Sequence, residues 1–227
     1  MRGLQSRLAV AGRWSQLAPR SVLCVNGSQR VNNSHQRRSI ATRHTAFKLN
    51  NGTSIPAIGF GTFQDPDSQE EAVARALQAG LRLIDTARVY NVEKQVGRGI
   101  RASGIAREDI FLGTKLWCNN YHPEDVEKAL DESLADLNTP YVDLLMMHYP
   151  CTFQRGEERF PRDSDGKMIH GETTFLDTWK AMEELVKIGK VKALGVSNFS
   201  KGELETLISG SSTVRLRGQH AKGVMHG

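Results

Sequence analysis

The sequence has little cysteine, no long apolar run and no acidic residue in its first 46 positions, and each absence removes a class of function. Its three cysteines, Cys24, Cys118 and Cys151, stand at spacings that match no metal-ligand set and cannot all pair. No metal site is expected, and a reducing interior is the simplest compartment. No stretch approaches the ~20 apolar residues of a membrane span, so no membrane partner is expected. The formal charge of +5 does not mark a nucleic-acid-binding domain. Residues 1–46 hold eight arginines and no lysine, so the rest of the chain sums to −3. Within that basic arm only Trp14 offers a ring for base stacking, and no nucleic-acid partner is expected.

What the arm does have is Leu4, Leu8, Val10 and Leu17 mixed with Arg2, Arg7, Arg13 and Arg20 in a loosely amphipathic pattern. That is the composition of a mitochondrial transit peptide, and Arg37-Arg38-Ser39-Ile40 suits a processing site. The alternatives are a basic extension without fold, or an unused upstream start on a cytoplasmic protein. At the other end, residues 209–227 carry no acid, no apolar run and no periodicity.

Residues 47–208 alternate strand and helix signals. Asn50-Asn51-Gly52 predicts a hairpin turn. Strands are expected over Ala57–Phe60, Leu81–Ile84, Ile110–Thr114, Val142–Met147 and Val191–Val196. Helices are expected after the capping boxes Ser68-x-x-Glu71 and Ser200-x-x-Glu203, over Glu93–Ser103 before Gly104, from Pro123 onward, and over Phe175–Ile188 before Gly189. Val126, Ala129, Leu130, Leu134 and Leu137 share one face of the helix opened by Pro123. Five such alternations imply an α/β fold with a parallel sheet, open or closed. Polar residues at several strand ends favour a barrel. Ile58, Phe60, Leu83, Phe111, Leu145 and Leu194 are expected on its inner face, and five strands of such a sheet leave strands one and five as open edges. The long connection Pro150–Thr174 is of the kind that covers sites.

Three of these ends carry chemistry. Strand two ends on Asp85, with Tyr90 five residues later. Strand three runs into Lys115 and strand four into His148. A strand-end carboxylate needs a partner, and an ammonium supplies one. An ammonium beside a phenol favours the phenolate, and an imidazole can donate to a developing oxyanion. Singly, each has a plain reading: a turn cap, a surface aromatic, a strand-end lysine, a core histidine. At three consecutive strand ends the site reading is the better one.

Ile58-Gly59-Phe60-Gly61-Thr62, Ile84-Asp85-Thr86-Ala87, Gly113-Thr114-Lys115-Leu116-Trp117, His148-Tyr149-Pro150 and Gly195-Val196-Ser197-Asn198-Phe199 together resemble the aldo-keto reductase family. The resemblance covers about residues 47–208. It implies a (β/α)8 TIM barrel with an N-terminal hairpin, of which about five of eight units are found here, as in a chain shortened at its C-terminus. It implies reduction of a small aldehyde or ketone with NADPH, or NADH. It implies Tyr90 as proton donor, Lys115 lowering its pKa, Asp85 supporting Lys115 and His148 orienting substrate. Gly61, Thr62 and Asp85 would approach the cofactor, Ser197 and Asn198 would hold its carboxamide, and Trp117 and Phe63 would line the substrate pocket. Full-length relatives are expected to be monomers or weak oligomers. The family's later cofactor-stacking tyrosine and phosphate-gripping residues have no counterpart in this sequence, and Leu81 stands where the family has an aromatic. An inactive barrel fragment or a binding module is therefore the alternative.

Overall fold

A computed structural model describes residues 42, 44–63 and 65–211, together with the backbone of Ser21–Val22. The expected transit segment and most of the stretch after Ser209 lie outside the described residues.

The first element is β1, Ser21–Val22. A hairpin follows, β2 (Ala46–Lys48) paired antiparallel with β3 (Ser54–Pro56). Its turn is where the Asn-Asn-Gly signal predicts it. Gly52 takes the left-handed φ of +87° that disfavours side chains. Asn51 Oδ1 accepts from Thr53 N (3.0 Å) and Oγ1 (2.7 Å).

Five parallel strands then alternate with five helices: β4 (Phe60–Gly61), α1 (Gln69–Gln78), β5 (Leu83–Asp85), α2 (Glu93–Ser103), β6 (Phe111–Leu116), α3 (Pro123–Leu137), β7 (Val142–Met147), α4 (Phe175–Lys187), β8 (Val191–Ser197) and α5 (Lys201–Gly210). The parallel strands lie side by side in chain order. A doubly wound sheet reverses strand order at a switch point. Without a reversal, same-handed crossovers put the helices on one face, which is the barrel arrangement. This is a partial (β/α) barrel of five units.

Two apolar layers hold it. Between sheet and helices lie Ile84, Leu112, Leu145, Met147 and Val196, with Val73, Val96, Leu130, Leu134 and Trp179 from the helices. All five residues predicted for the apolar face of α3 are buried. On the concave face Leu83, Phe111, Leu144, Met146 and Ala193 form a smaller layer that the hairpin closes with Leu49 and Ile55. Leu83 and Phe111 thus face inward as expected. Leu145 and Leu194 point to the helices instead, because strand side chains alternate and counting β7 and β8 one residue out of step inverts their faces. Phe60 packs on the helix side as well, and Ile58 is 39% exposed rather than buried inside.

Other expectations need correction. The first barrel strand is Phe60–Gly61, not Ala57–Phe60, because pairing with Ile84 and Asp85 begins only there. Ser68 is in helical conformation and donates to Asp65 Oδ2 (2.6 Å), so no capping box forms on α1. Ser200 and Glu203 do form the reciprocal box on α5. The edge of β8 is not bare along its length. Its end pairs antiparallel with β1 (Ser21↔Ser197, Val22↔Val196), and Asn51 Nδ2 donates to Lys192 O at 2.8 Å. The outer edge of β4 has no strand partner among the described residues.

Candidate active site

Strand alternation carries the inner face upward from its apolar layer to a polar one. Leu83 leads to Asp85, Phe111 to Gly113 and Lys115, Met146 to His148, and Ala193 to Gly195 and Ser197; Gly61 pairs with Asp85 on β4. Asp85, Lys115 and His148, expected at three strand ends, therefore meet at the C-terminal mouth of the sheet. Lys115 lies inside β6 rather than just past its end, and is 1% exposed.

A buried ammonium requires an anion and further acceptors. Lys115 Nζ lies 2.8 Å from each Asp85 oxygen and donates to Thr86 O at 3.0 Å. Burial nevertheless pulls the Lys115 pKa below its usual range, against the raising effect of Asp85. The Asp85 side chain keeps 37% of its exposure, so the carboxylate is open toward the mouth. Tyr90 ends the 3-10 turn Arg88–Tyr90, and its ring sits 5.3 Å from Lys115 Nζ. Its pKa is pushed up, first by burial, then by the charge of Asp85 and by Tyr149. The expected lowering by Lys115 is therefore not what this arrangement produces. Burial and the charge of Asp85 set the direction, and Lys115 spends its own charge on Asp85 at 2.8 Å.

His148 follows β7 directly and is 4% exposed, with Nδ1 unpartnered. Burial first, then the Lys115 charge, lowers its pKa from 6.5 to about 3, so the imidazole is neutral. Its ring meets Tyr90 edge-on (5.6 Å), Trp117 edge-on (5.2 Å) and Tyr149 stacked (5.3 Å). Trp117 also contacts Phe160 (5.4 Å) and Phe153 (5.9 Å) from the long loop, and its indole N–H donates to Arg159 O (2.7 Å). Phe63, largely exposed, closes the other side against Tyr90 at 5.0 Å. The mouth is thus a polar floor with aromatic walls. A separate cavity of about 390 Å³, lined by Arg88, Asn119, Lys128 and Arg155, lies behind Trp117 and does not include Tyr90, Lys115 or His148.

The residues expected at the cofactor differ in what they offer. Gly61 is exposed, and a Cβ there would meet nothing within 4 Å. Thr62 is fully buried, with its hydroxyl donated to Thr86 Oγ1 (2.8 Å), so its side chain points into the fold. Ser197 is also buried. Asn198, in left-handed conformation (φ +62°), donates Nδ2 to His148 O (2.8 Å) and Ser197 Oγ (3.1 Å).

Sequence reasoning missed the bracing groups. Tyr121, fully buried, donates to Tyr149 O (2.8 Å) and accepts from Tyr149 N (3.2 Å), which fixes the backbone next to His148. Glu93 is 2% exposed, accepts from Thr114 Oγ1 (2.7 Å) and faces Arg88; burial raises its pKa against those partners. Arg159 reaches from the long loop to Asn91, just past Tyr90. None of these carries a local sequence signal, because the partners Tyr149, Thr114 and Asn91 each lie more than 20 residues away in the chain.

The model of the aldo/keto reductase family matches residues 48–220, which takes in part of the stretch beyond Ile208. The chain is 45% identical over 163 residues to an uncharacterised oxidoreductase of Schizosaccharomyces pombe, covering 71% of this chain and 51% of that protein. It is 46% identical over 167 residues to aldo-keto reductase family 1 member A1 of Xenopus tropicalis, with the same coverages. The aldose reductase structure from Schistosoma japonicum superposes with a TM-score of 0.72 at 39% identity, covering 74% of this chain and 57% of that one. The chain spans about half the length of these relatives.

Proposed function

The chain belongs to the aldo/keto reductase family, and from that premise we propose that it reduces small aldehydes or ketones to alcohols with NADPH, Tyr90 giving the proton. The observation that carries this reading is the convergence of Tyr90, Lys115, Asp85 and His148 at one mouth, with Lys115 Nζ 2.8 Å from both carboxylate oxygens.

The donor set fits such a cofactor. Asp85 presents a part-exposed acceptor, Gly61 open backbone, and Asn198 an amide fixed between His148 and Ser197. Gly61, Asp85, Ser197 and Asn198 would hold it, and it would supply the hydride. NADH suits the same residues.

The chain's own groups handle the proton. Tyr90, with its pKa raised, is a neutral phenol at pH 7, which is the state a donor needs. A substrate oxygen above Tyr90 would take the phenolic proton, and the tyrosinate left behind would face the Lys115 ammonium, which Asp85 holds in place. Neutral His148 would donate one N–H to that oxygen and orient it. Trp117 and Phe63 would exclude water and favour an apolar substituent.

The test is aldehyde-dependent loss of NADPH absorbance. Turnover by the protein and its loss in Tyr90→Phe support the reading, and equal turnover in both would overturn it. A second reading, binding without turnover, is favoured by the outer edge of β4, which has no strand partner among the described residues. A fluorescence titration with NADPH that saturates without catalysis would select it. We also propose mitochondrial import by residues 1–46, on their acid-free, arginine-rich composition. A fluorescent fusion of that segment that stays in the cytoplasm would set this aside.

A further inference from the structure

Two thiols behind the mouth take no part in this chemistry. Cys118 opens the 3-10 turn Cys118–Asn120 just beyond β6, next to Trp117. Cys151 lies three residues past His148, in the loop leaving β7. Both are free, and their sulfurs are 3.9 Å apart. The segments are already in register, since Phe153 N donates to Cys118 O at 3.1 Å. A disulfide needs the sulfurs about 2 Å apart, so closing the gap asks for a movement of roughly 2 Å, within the range of side-chain torsion in a loop.

We propose that Cys118 and Cys151 form a modification site, in which hydrogen peroxide converts the thiol pair to a reversible disulfide. The two cysteines divide the work. Cys151 is part-exposed, and the thiol of Cys118 pushes its pKa below the usual range; Cys118 is fully buried and pushed up. The accessible thiolate is the one that attacks. Cys151 sulfur takes the terminal peroxide oxygen: an S–O bond forms, the O–O bond breaks, and hydroxide leaves with a proton from solvent as water. Cys118 then loses its proton and attacks the sulfenic sulfur; an S–S bond forms, the S–O bond breaks, and a second water leaves. In sum two thiols are oxidised by two electrons and one peroxide is reduced to two waters. The new bond ties the segment carrying Trp117 to the one carrying His148, whose rings meet at 5.2 Å. The inference rests on the thiol pair alone and is independent of carbonyl reduction.

The experiment uses the full 227-residue chain bearing Cys24→Ser, with Cys118 and Cys151 untouched. It is treated with stoichiometric hydrogen peroxide. Expected are joint loss of both remaining thiols, a fall of about 2 Da in intact mass, a Cys118–Cys151 cross-linked peptide in the non-reducing map, and recovery with dithiothreitol. In the further variant Cys118→Ala, Cys151 should instead give a sulfenic acid trapped by dimedone. Retention of both thiols, a stable sulfenic or sulfinic acid on Cys151 with Cys118 still free, or intermolecular dimers without the 118–151 peptide would each overturn the proposal. The cross-linked peptide is read on the intact pair, so the proposal can be overturned whether or not Cys118→Ala folds.

Discussion

The two ends of the parallel sheet both bury ions, and they treat them differently. At the end closed by the hairpin, Asp143 is 6% exposed and fully engaged. It pairs with Arg107 (2.9 Å) and Lys192 (2.9 Å) and accepts from Leu112 N (3.0 Å). At the mouth, Asp85 keeps an exposed face, Lys115 has its pKa lowered, Tyr90 has its pKa raised, and His148 has a buried nitrogen without a partner. One end spends its charges on holding the fold. The other leaves them perturbed and aimed at a place where a reacting group can sit. Where local rules are broken at one end and kept at the other, the broken end is the one to assign to function.

Tyr90→Phe strains this contrast most. It should lower carbonyl reduction by about 10²-fold or more, the usual weight of a general acid, and leave the unfolding free energy nearly unchanged. A variant that kept most of its activity would remove Tyr90 from the donor role. Asp143→Ala is the mirror experiment at the closed end. It strips Arg107 of a carboxylate and leaves the Leu112 N–H buried without a partner, which should cost about 1–3 kcal/mol in chemical denaturation. The rate constant of the folded fraction should not move; if it fell with stability intact, the division between the ends would fail.

Lys115→Met crosses the boundary. It should cut turnover by roughly tenfold. Because the Lys115 charge helps depress His148, the imidazole pKa followed by NMR should rise from about 3 while staying below 6.5. An unmoved resonance would show that burial alone controls that histidine. His148 itself gives a pH signature. With its pKa at about 3 in the fold against 6.5 unfolded, the unfolded chain binds the extra proton between those values. Its contribution to stability is complete above about pH 6.5 and is lost as pH falls toward 3, at up to ~1.4 kcal/mol per pH unit. His148→Gln should flatten that limb of the stability curve, and an identical acid limb in both proteins would count against the buried neutral imidazole.

The smallest effect separates two identical sequence signals. Ser200→Ala removes a formed capping box and should cost about 1 kcal/mol, whereas Ser68→Ala, at the same S-x-x-E spacing, should cost a few tenths at most. Equal costs would mean that the Ser68 cap forms in solution.

That pair also shows where the sequence was readable. Helix limits at Gly104 and Gly189, the apolar stripe of α3 and the span of β7 were all legible, because periodicity and glycine punctuation are local. The convergence of Asp85, Lys115, Tyr90 and His148 was legible because successive parallel strands present their ends together. The inner face of β7 and β8 was not, since an apolar run such as Leu144–Met147 carries no alternation to show which side is which. Nor was the direction of the Tyr90 pKa. It depends on burial and on the approach of Asp85 and Tyr149, and both are properties of packing.

The fit between neighbouring helices has a further consequence for the mouth. Helix α2 carries Gly97 and Gly99, and a Cβ at either would come within 2.5 Å of the backbone oxygen of Leu137 or Glu70, respectively. The first three helices are thus packed at two points without room for a methyl group. A side chain at Gly97 or Gly99 would push them apart, and with them the outer support of the two paired strands that carry Asp85 and Lys115.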